Sequence, residues 1–557
     1  MRVSAEWSGV CSRENRSPSL LELSFQKDVA AAEFKVTCCA SSNPVKPAML
    51  ACMGALTKTD YLLFRECRKN AWLKLHRPDI YFASQLSAFD KALIETGNEV
   101  ELLARQLFPG GVLIEGRDWQ AQNDTLNHLA KKTRVLFQPV FLKDGFLAAL
   151  DVLQLDPVLG GYFLYEVKAA NELKEDTHLS DLAFQWVLLQ KVGLPVRRAH
   201  LIHLNPDYVR DGELNLQELF AIEDVTAVGQ GLLAATEMEM RIAQGCLTHE
   251  EEPTGHCDCI SKGRSRHCST FHYSNPDVPE YGVHDIARIG ISKTKLVELA
   301  QRGILRLEDL PKGFELTAIQ QNQVDAYLHD RVLIRREEIA RELKRLTFPL
   351  HFLDYETCPA AIPRFSGYSP YQQIPFQYSL HILDQADGKP RHEGFLSTAP
   401  GDPAQALCAS LNRHVGQTGT VVVWNKKFEC GINREMGKRI PGAKAFLDSL
   451  NARVYDLMDI FLKQYYVHKG FKGGTSIKDV LPVLAPELSY ADLAIQEGGT
   501  ASQSWDKITS EETSQAERAS VARDLELYCE RDTYAMYAIW RHLVGLIASP
   551  AVPGPRA

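Results

Sequence analysis

The stretch HFLDYETCP, residues 351–359, sets Asp354 and Glu356 two positions apart where an apolar run ends. In a strand, alternate side chains share one face, so both carboxylates would point the same way. Two like charges side by side repel unless a proton, a basic side chain or a divalent cation neutralises them. Any fold that takes in this run must deliver one of those three to its end. Distant parts of the chain carry residues suited to the third.

At 557 residues the chain has room for about two to four domains. Apolar residues make up 45% and charged residues 24%, the proportions of an ordinary globular protein. The net charge is -8 and the pI near 6.1, so nucleic-acid binding would have to come from local basic patches. No apolar run reaches the length of a membrane-spanning helix. The N-terminus lacks the charged, apolar, cleavable succession of a secretory leader. A cytoplasmic chain is therefore expected, and its 13 cysteines point to metal rather than to disulfides.

Residues 1–55 are poorly patterned, carry Cys11, Cys38, Cys39 and Cys52, and read as a weakly ordered extension or a misplaced start codon. A helical cap signal and helical periodicity begin in LTKTDYLLFRECRKNAWLKLHRPDI, residues 56–80. Residues 91–108 read as a second amphipathic helix. Strand-like runs follow at 133–155, with a turn at Lys143-Asp144-Gly145, and at 161–170. A helix at 178–194 and a strand around AHLIHLN complete an α/β domain over 56–275. Residues 276–345 read as a helical linker. Within it, KTKLVELAQRGILRLEDLP is either a simple spacer or similar to a helix–hairpin–helix that grips a phosphate backbone. The α/β rhythm returns over 346–548, with strands at 350–355, 376–382 and 420–424 and a terminal helix at about 516–547. Residues 549–557 read as a disordered tail.

Three constellations carry chemistry. In the first, Asp151 lies in the strand LAALDVLQL, and Glu166 and Lys168 share a face of the next strand. Two carboxylates suit Mg²⁺ or Mn²⁺, which prefer oxygen ligands. A lysine beside them can orient a water or stabilise charge on a phosphate. The plainer alternative is an E-x-K ion pair on a surface strand. The order acid, E-x-K, then a helix with Gln185 resembles the PD-(D/E)xK restriction-endonuclease-like fold, in its RecB-type branch that includes CRISPR-associated nucleases. That resemblance implies catalytic roles for Lys168 and Gln185, metal binding by Asp151 and Glu166, and an upstream acid at Glu99.

The second is HCDCISKGRSRHC, which gathers Cys257, Cys259 and Cys268, with Cys67 alone before the first module. One cysteine before and three after is the distribution of the RecB-type iron–sulfur nucleases, and implies a 4Fe–4S cluster held by four soft thiolates. Zinc on cysteines with His256 or His267 remains open, as do free thiols.

The third joins the opening carboxylates to VVVWNKKFECGINRE, which carries Asn425 and Glu429, and to YCERDTYAMY, where Tyr528 and Asp532 share a helical face. D-x-E in a strand, N-x-x-F-acid at a helix start and Y-x-x-x-D in a late helix resemble the three motifs of the DEDD exonucleases, of RNase H-like fold, in the tyrosine-bearing DEDDy branch. The resemblance implies two-metal phosphodiester hydrolysis, with Asp354, Glu356, Glu429 and Asp532 holding two cations about 4 Å apart and Tyr528 orienting the water. The second motif usually carries aspartate where this chain has Glu429, so Asp456 or Asp459 are alternative ligands. Lys478, in a Gly-rich loop entering a helix, is a candidate phosphate contact. Aromatics of AIPRFSGYSPYQQIPFQYSLHIL would stack on bases or pack in the core.

The order of modules, with the PYQQIPFQ and FKGG-x-S-I-K-D stretches, resembles a bacterial domain-of-unknown-function family that joins a RecB-like region to a DEDD-like one, over roughly 56–545. It implies a metal-dependent nuclease acting on DNA or RNA in repair, recombination or defence against foreign DNA. The alternative is a nucleic-acid-binding or scaffold protein on nuclease folds without turnover.

Overall fold

The computed structural model describes residues 55–82, 88–158 and 160–548. The expected N-terminal extension, apart from Ala55, and the tail at 549–557 lie outside the described residues. The fold is mixed α/β, and none of its helices among the described residues is long and apolar enough to cross a membrane.

The N-terminal half is built on strands Leu56–Thr57 (β1), Val112–Leu113 (β2), Val135–Phe137 (β3), Val140–Lys143 (β4), Phe146–Ala149 (β5), Val152–Leu155 (β6), Tyr162–Lys168 (β7), Val196–Leu204 (β8) and Phe220–Asp224 (β9). Six form one sheet in the order β2-β3-β6-β7-β8-β9, and β1-β5-β4 form a small second sheet. The run 133–155, expected as one strand–turn–strand, thus divides between two sheets. Gln138 takes a φ of 52° between β3 and β4, a left-handed conformation that turns the chain out of the first sheet. The Ser180–Lys191 helix is buried along most of its length against this core. The helical reading of 56–80 holds, with a break: Lys58–Glu66 and Arg68–His76 are separate helices, parted at an extended Cys67.

In the linker the Lys293–Gln301 helix turns at Gly303 (φ 68°), but the second arm of the expected hairpin is only a 3-10 turn, Leu307–Asp309. Leu310-Pro311 follows that turn at once, and proline cannot carry a helix onward from there.

The C-terminal half adds a short pair, Leu333–Ile334 (β10) with Tyr466–Val467 (β16), and a sheet of Leu350–Pro359 (β11), Gln373–Leu383 (β12), Arg391–Leu396 (β13), Thr420–Val423 (β14) and Val454–Asp456 (β15). Its order is β13-β12-β11-β14-β15, with β12 antiparallel to both neighbours and β11, β14 and β15 mutually parallel. Strand β11 is central and its period of two sorts its side chains. Leu350 and Phe352 pack with Met536, Ile539, Trp540 and Leu543 of the 34-residue Gln515–Ala548 helix. Leu353 and Tyr355 pack on the opposite face, against the Ala404–Val415 and Lys426–Arg439 helices. Asp354 and Glu356 therefore continue the face that looks at the terminal helix.

The two halves are joined through residues 360–372. Ala361 and Ile362 are buried with Val100, Ala104 and Phe108. The Tyr371 hydroxyl donates to Ala169 O at 2.6 Å, and Asn171 Nδ2 to Pro370 O at 3.0 Å. Phe376 stacks on Trp505 with ring centroids 5.0 Å apart, and Tyr378 is buried, so these aromatics belong to the core.

Candidate functional site

A cleft of about 760 Å³ opens where the sheet face of β11 meets the terminal helix. Asp354, Glu356, Glu429, Tyr528 and Asp532 all line it, as do Asn425 and Lys478. The local structure explains the convergence. On the terminal helix a buried stripe at three- and four-residue spacing runs Leu525, Tyr528, Cys529, Asp532, Met536, Ile539. Its apolar part seats the helix on β11 and carries Tyr528, Cys529 and Asp532 over the strand end. The ladder between β11 and β12 shifts register just after Glu356. Asn425 caps the Lys426–Arg439 helix by accepting from Phe428 N at 3.3 Å, and so sets Glu429 in its first turn. That is Asn425's observed role.

The electrostatics are those of uncompensated acid. Burial, then Asp532, Glu356 and Glu429, pushes the Asp354 carboxyl well above the carboxylate range. Burial and Asp532 do the same to Glu356, against an opposing pull from Lys478. Burial lifts Asp532 to about 6 despite hydrogen bonds from Tyr490 and Tyr528, and lifts Glu429 to about 8. Glu429 Oε2 is buried without a hydrogen-bond partner. Lys478 donates to Gln496 O at 2.6 Å and lies 5.7 Å from the Tyr490 and Tyr528 ring centroids.

Asp456 does not line this cleft. It accepts from Lys426 N at 2.9 Å and Met458 N at 3.1 Å, tying β15 to the neighbouring helix start. Asp459 pairs with Lys463 at 2.8 Å. Two contributors were not foreseen. The Tyr490 hydroxyl donates to Asp532 Oδ1 at 2.5 Å. Cys529 Sγ joins Asp354 and Glu356 in a group whose ligand atoms all lie within 4.8 Å of one another. Its place three residues before Asp532 is the one sequence signal for it.

The N-terminal cluster is arranged differently. Glu166 accepts from Gln185 Nε2 at 2.6 Å, from Lys168 Nζ at 2.7 Å and from Lys58 Nζ at 2.9 Å. Asp181 pairs with Lys168 and, at 3.0 Å, with Lys58. Asp151 accepts from Val167 N at 2.7 Å and Gln138 Nε2 at 3.2 Å. Burial works against ionisation of Glu166, yet Lys168 and Lys58 overcome it and hold this carboxyl low. Burial and the Glu166 charge push Asp151 up to about 8. Asp151, Glu166, Lys168 and Gln185 thus converge as expected, with Lys58 and Asp181 added. Asp181 precedes Gln185 by one helical turn; nothing local to Lys58 marks it.

Glu99 belongs elsewhere. It lines the C-terminal cleft, and Glu101 is the acid joined to Asp151, through Gln138 Nε2, which donates to both. Two positions along a helix turn a side chain by about 200°, so Glu99 and Glu101 face opposite ways.

Cys67, Cys257, Cys259 and Cys268 form a second compact group within the same 4.8 Å limit, with Cys257 and Cys268 Sγ 3.9 Å apart. Asn275 Nδ2 donates to Cys257 Sγ at 3.2 Å. His256 pairs with Asp277 at 2.9 Å, and His267 bonds Lys262 O at 3.0 Å while stacking on Phe271. Neither histidine joins the thiols.

Residues 351–476 match the family model described as Domain of unknown function (DUF2779), a narrower span than 56–545. Uncharacterized protein UU173 of Ureaplasma parvum is 29% identical over 250 residues, which is 41% of this chain and 36% of that protein. Uncharacterized protein MG366 of Mycoplasma genitalium is 28% identical over 218 residues, 35% of this chain and 32% of that protein. Its Mycoplasma pneumoniae homolog is 27% identical over 34% of this chain and 31% of that protein. The chain thus spans about a third of the length of the curated relatives it matches. No solved structure matches it.

Proposed function

We propose that this chain is a cytoplasmic, metal-dependent nuclease that hydrolyses phosphodiester bonds of DNA or RNA, with turnover seated in the C-terminal cleft. One observation carries the reading: four carboxylates from β11 and two separate helices line one open cleft, buried enough to be driven toward protonation, with a Glu429 oxygen left unpartnered. Sheet order and strand directions support an RNase H-like core of DEDDy type. The donors fit a hard divalent cation, which Asp354, Glu356, Glu429 and Asp532 would hold. A bound Mg²⁺ or Mn²⁺ would supply Lewis-acid stabilisation and an acidified water. Tyr490 donates to Asp532 and favours its ionised form, and the Tyr528 hydroxyl nearby pulls the same way. In this reading Tyr528 would orient a water and Lys478 would meet a phosphate. Leu93 and Thr96 of the Ala88–Ala104 helix wall the cleft from the N-terminal half.

For the N-terminal half, the internal lysine pairing favours the second reading, a PD-(D/E)xK-like scaffold or binding module without turnover of its own. The cysteine quartet suits a metal as an all-thiolate set. The Cys257 and Cys268 sulfurs are 3.9 Å apart and all four lie within 4.8 Å of one another, close to the edge of a tetrahedron with about 2.3 Å metal–sulfur bonds, which favours one zinc ion over a 4Fe–4S cluster. Metal and sulfide analysis with absorbance near about 400 nm decides between them: zinc without sulfide is the expected result.

End-labelled single- and double-stranded DNA and RNA, incubated with Mg²⁺ or Mn²⁺, test the main reading. Degradation is expected from the wild type and from Lys168→Ala, and loss of it from Asp354→Asn. A wild type inert on all four substrates with both ions, and with Zn²⁺, would favour the silent alternative.

A further inference from the structure

Cys529 lies on the buried stripe of the terminal helix, one turn before Asp532, and the chemistry proposed above makes no use of it. Its Sγ is 4.0 Å from Asp354 Oδ2, and behind the cleft lining it forms a compact donor group with Asp354 and Glu356, which line the cleft themselves. The side chain is fully buried, so the thiol faces the acids and not bulk water. Glu429 gives an independent sign that a ligand belongs here. It is 3% exposed, lines the same cleft and has a carboxylate oxygen with no partner. An orphaned buried acceptor is destabilising, and a cation in the cleft would relieve it.

We infer that Cys529 supplies a sulfur donor to the cation held by Asp354 and Glu356, and so biases the cleft toward sulfur-seeking divalent ions such as Zn²⁺ or Cd²⁺ over Mg²⁺. Mg²⁺ takes oxygen ligands and gains nothing from a thiol. Borderline and soft ions gain a strong bond from a thiolate. Coordination converts the thiol to a thiolate and releases its proton to solvent; nothing is oxidised or reduced. The inference rests on the cation-dependent reading of this cleft and adds the identity of the ion.

The test is ¹¹³Cd NMR of the full chain, stripped of metal and refilled with ¹¹³Cd²⁺. The cysteine quartet gives the strongly deshielded signal of an all-sulfur site, and a mixed oxygen–sulfur site gives a second signal upfield of it. The second signal is expected in the wild type, moved further upfield in Cys529→Ser and Cys529→Ala. Cd²⁺ affinity at that site should fall at least about tenfold in both, with Mg²⁺ affinity by competition changed less than about twofold. An unchanged quartet signal and far-ultraviolet circular dichroism establish that the variants fold, and two replacements guard against one misfolding. A second signal that vanishes in Asp354→Asn but stays unmoved in both Cys529 variants overturns the inference and leaves the cation site standing. A wild type with no second signal, identical to Asp354→Asn, overturns both.

Discussion

The two acid clusters of this molecule use the same side chains to opposite electrostatic ends. In the N-terminal half, Glu166 and Asp181 are met by the ammonium groups of Lys58 and Lys168, within hydrogen-bonding reach. In the C-terminal half, Asp354, Glu356, Glu429 and Asp532 share a cleft with Lys478, which spends a bond on Gln496 O. One cluster carries its counter-charge within the fold, and Glu166 is held ionised, while burial and the Glu166 charge push its neighbours Asp151 and Asp181 upward. The other lacks it, and its carboxyls are pushed toward the protonated state. The lesson is that acidic residues in motif order are gathered in both halves, and the placement of lysines is what sets the two clusters apart.

The contrast can be broken most forcefully at Lys58. Lys58→Met strips a buried acid pair of one partner and should cost about 3–5 kcal/mol of stability, read by urea denaturation. A loss under about 1 kcal/mol would mean that the N-terminal acids are solvated and the contrast is false.

Asp354→Asn probes the other side. Nuclease activity should fall at least about a hundredfold. In EDTA the same variant should be more stable than the wild type, because it removes one member of a repelling set. Stability lost in EDTA would place the compensation inside the fold after all.

Dependence on pH sharpens the contrast. Asp532 and Glu429 sit at about 6 and about 8 in the folded chain, and Asp151 of the N-terminal cluster at about 8, all above the usual carboxyl range. The folded state then binds more protons than the unfolded one between about pH 4 and 8. Metal-free stability should decline as pH rises through that window, by up to about 1.4 kcal/mol per pH unit for each such proton. Saturating Mn²⁺ should remove the part of the decline due to Asp532 and Glu429 and leave that of Asp151. Glu166 acts with the opposite sign: its low folded value contributes stability above the unfolded carboxyl range and loses it below about pH 4. Denaturation midpoints from pH 3 to 8, with EDTA and with Mn²⁺, separate the two slopes.

The smallest expected effect is Tyr490→Phe. Loss of its bond to Asp532 should raise that carboxyl above about 6 and shift the acid limb of cation binding to higher pH, at a cost of about 1.5 kcal/mol or less. An unmoved limb would show that Tyr528 alone holds Asp532.

How far the sequence could be read follows from how local each signal is. The terminal helix, expected at about 516–547, is observed as Gln515–Ala548. A period of two puts Asp354 and Glu356 on one strand face, and one of 3.6 puts Tyr528 and Asp532 on one helix face; that the two faces meet is implied only by the resemblance to the DEDD motifs. Lys58 was not legible, because its role depends on docking against Glu166, 108 residues away. Glu99 was given to the wrong cluster because spacing shows that two acids part company on a helix but not which core each side meets. The division of 133–155 between two sheets turns on one left-handed residue, Gln138, in a run whose composition reads as plain strand.

The stitching of residues 360–372 into the N-terminal half has an evolutionary and practical corollary. The segment that leaves β11 just past its acids is anchored in a neighbouring core, and a helix from that neighbour forms one bank of the cleft. The halves are therefore not exchangeable cassettes. A C-terminal fragment expressed by itself would keep its acids but present them in a trough missing one bank, with freshly bared apolar surface at Ala361 and Ile362.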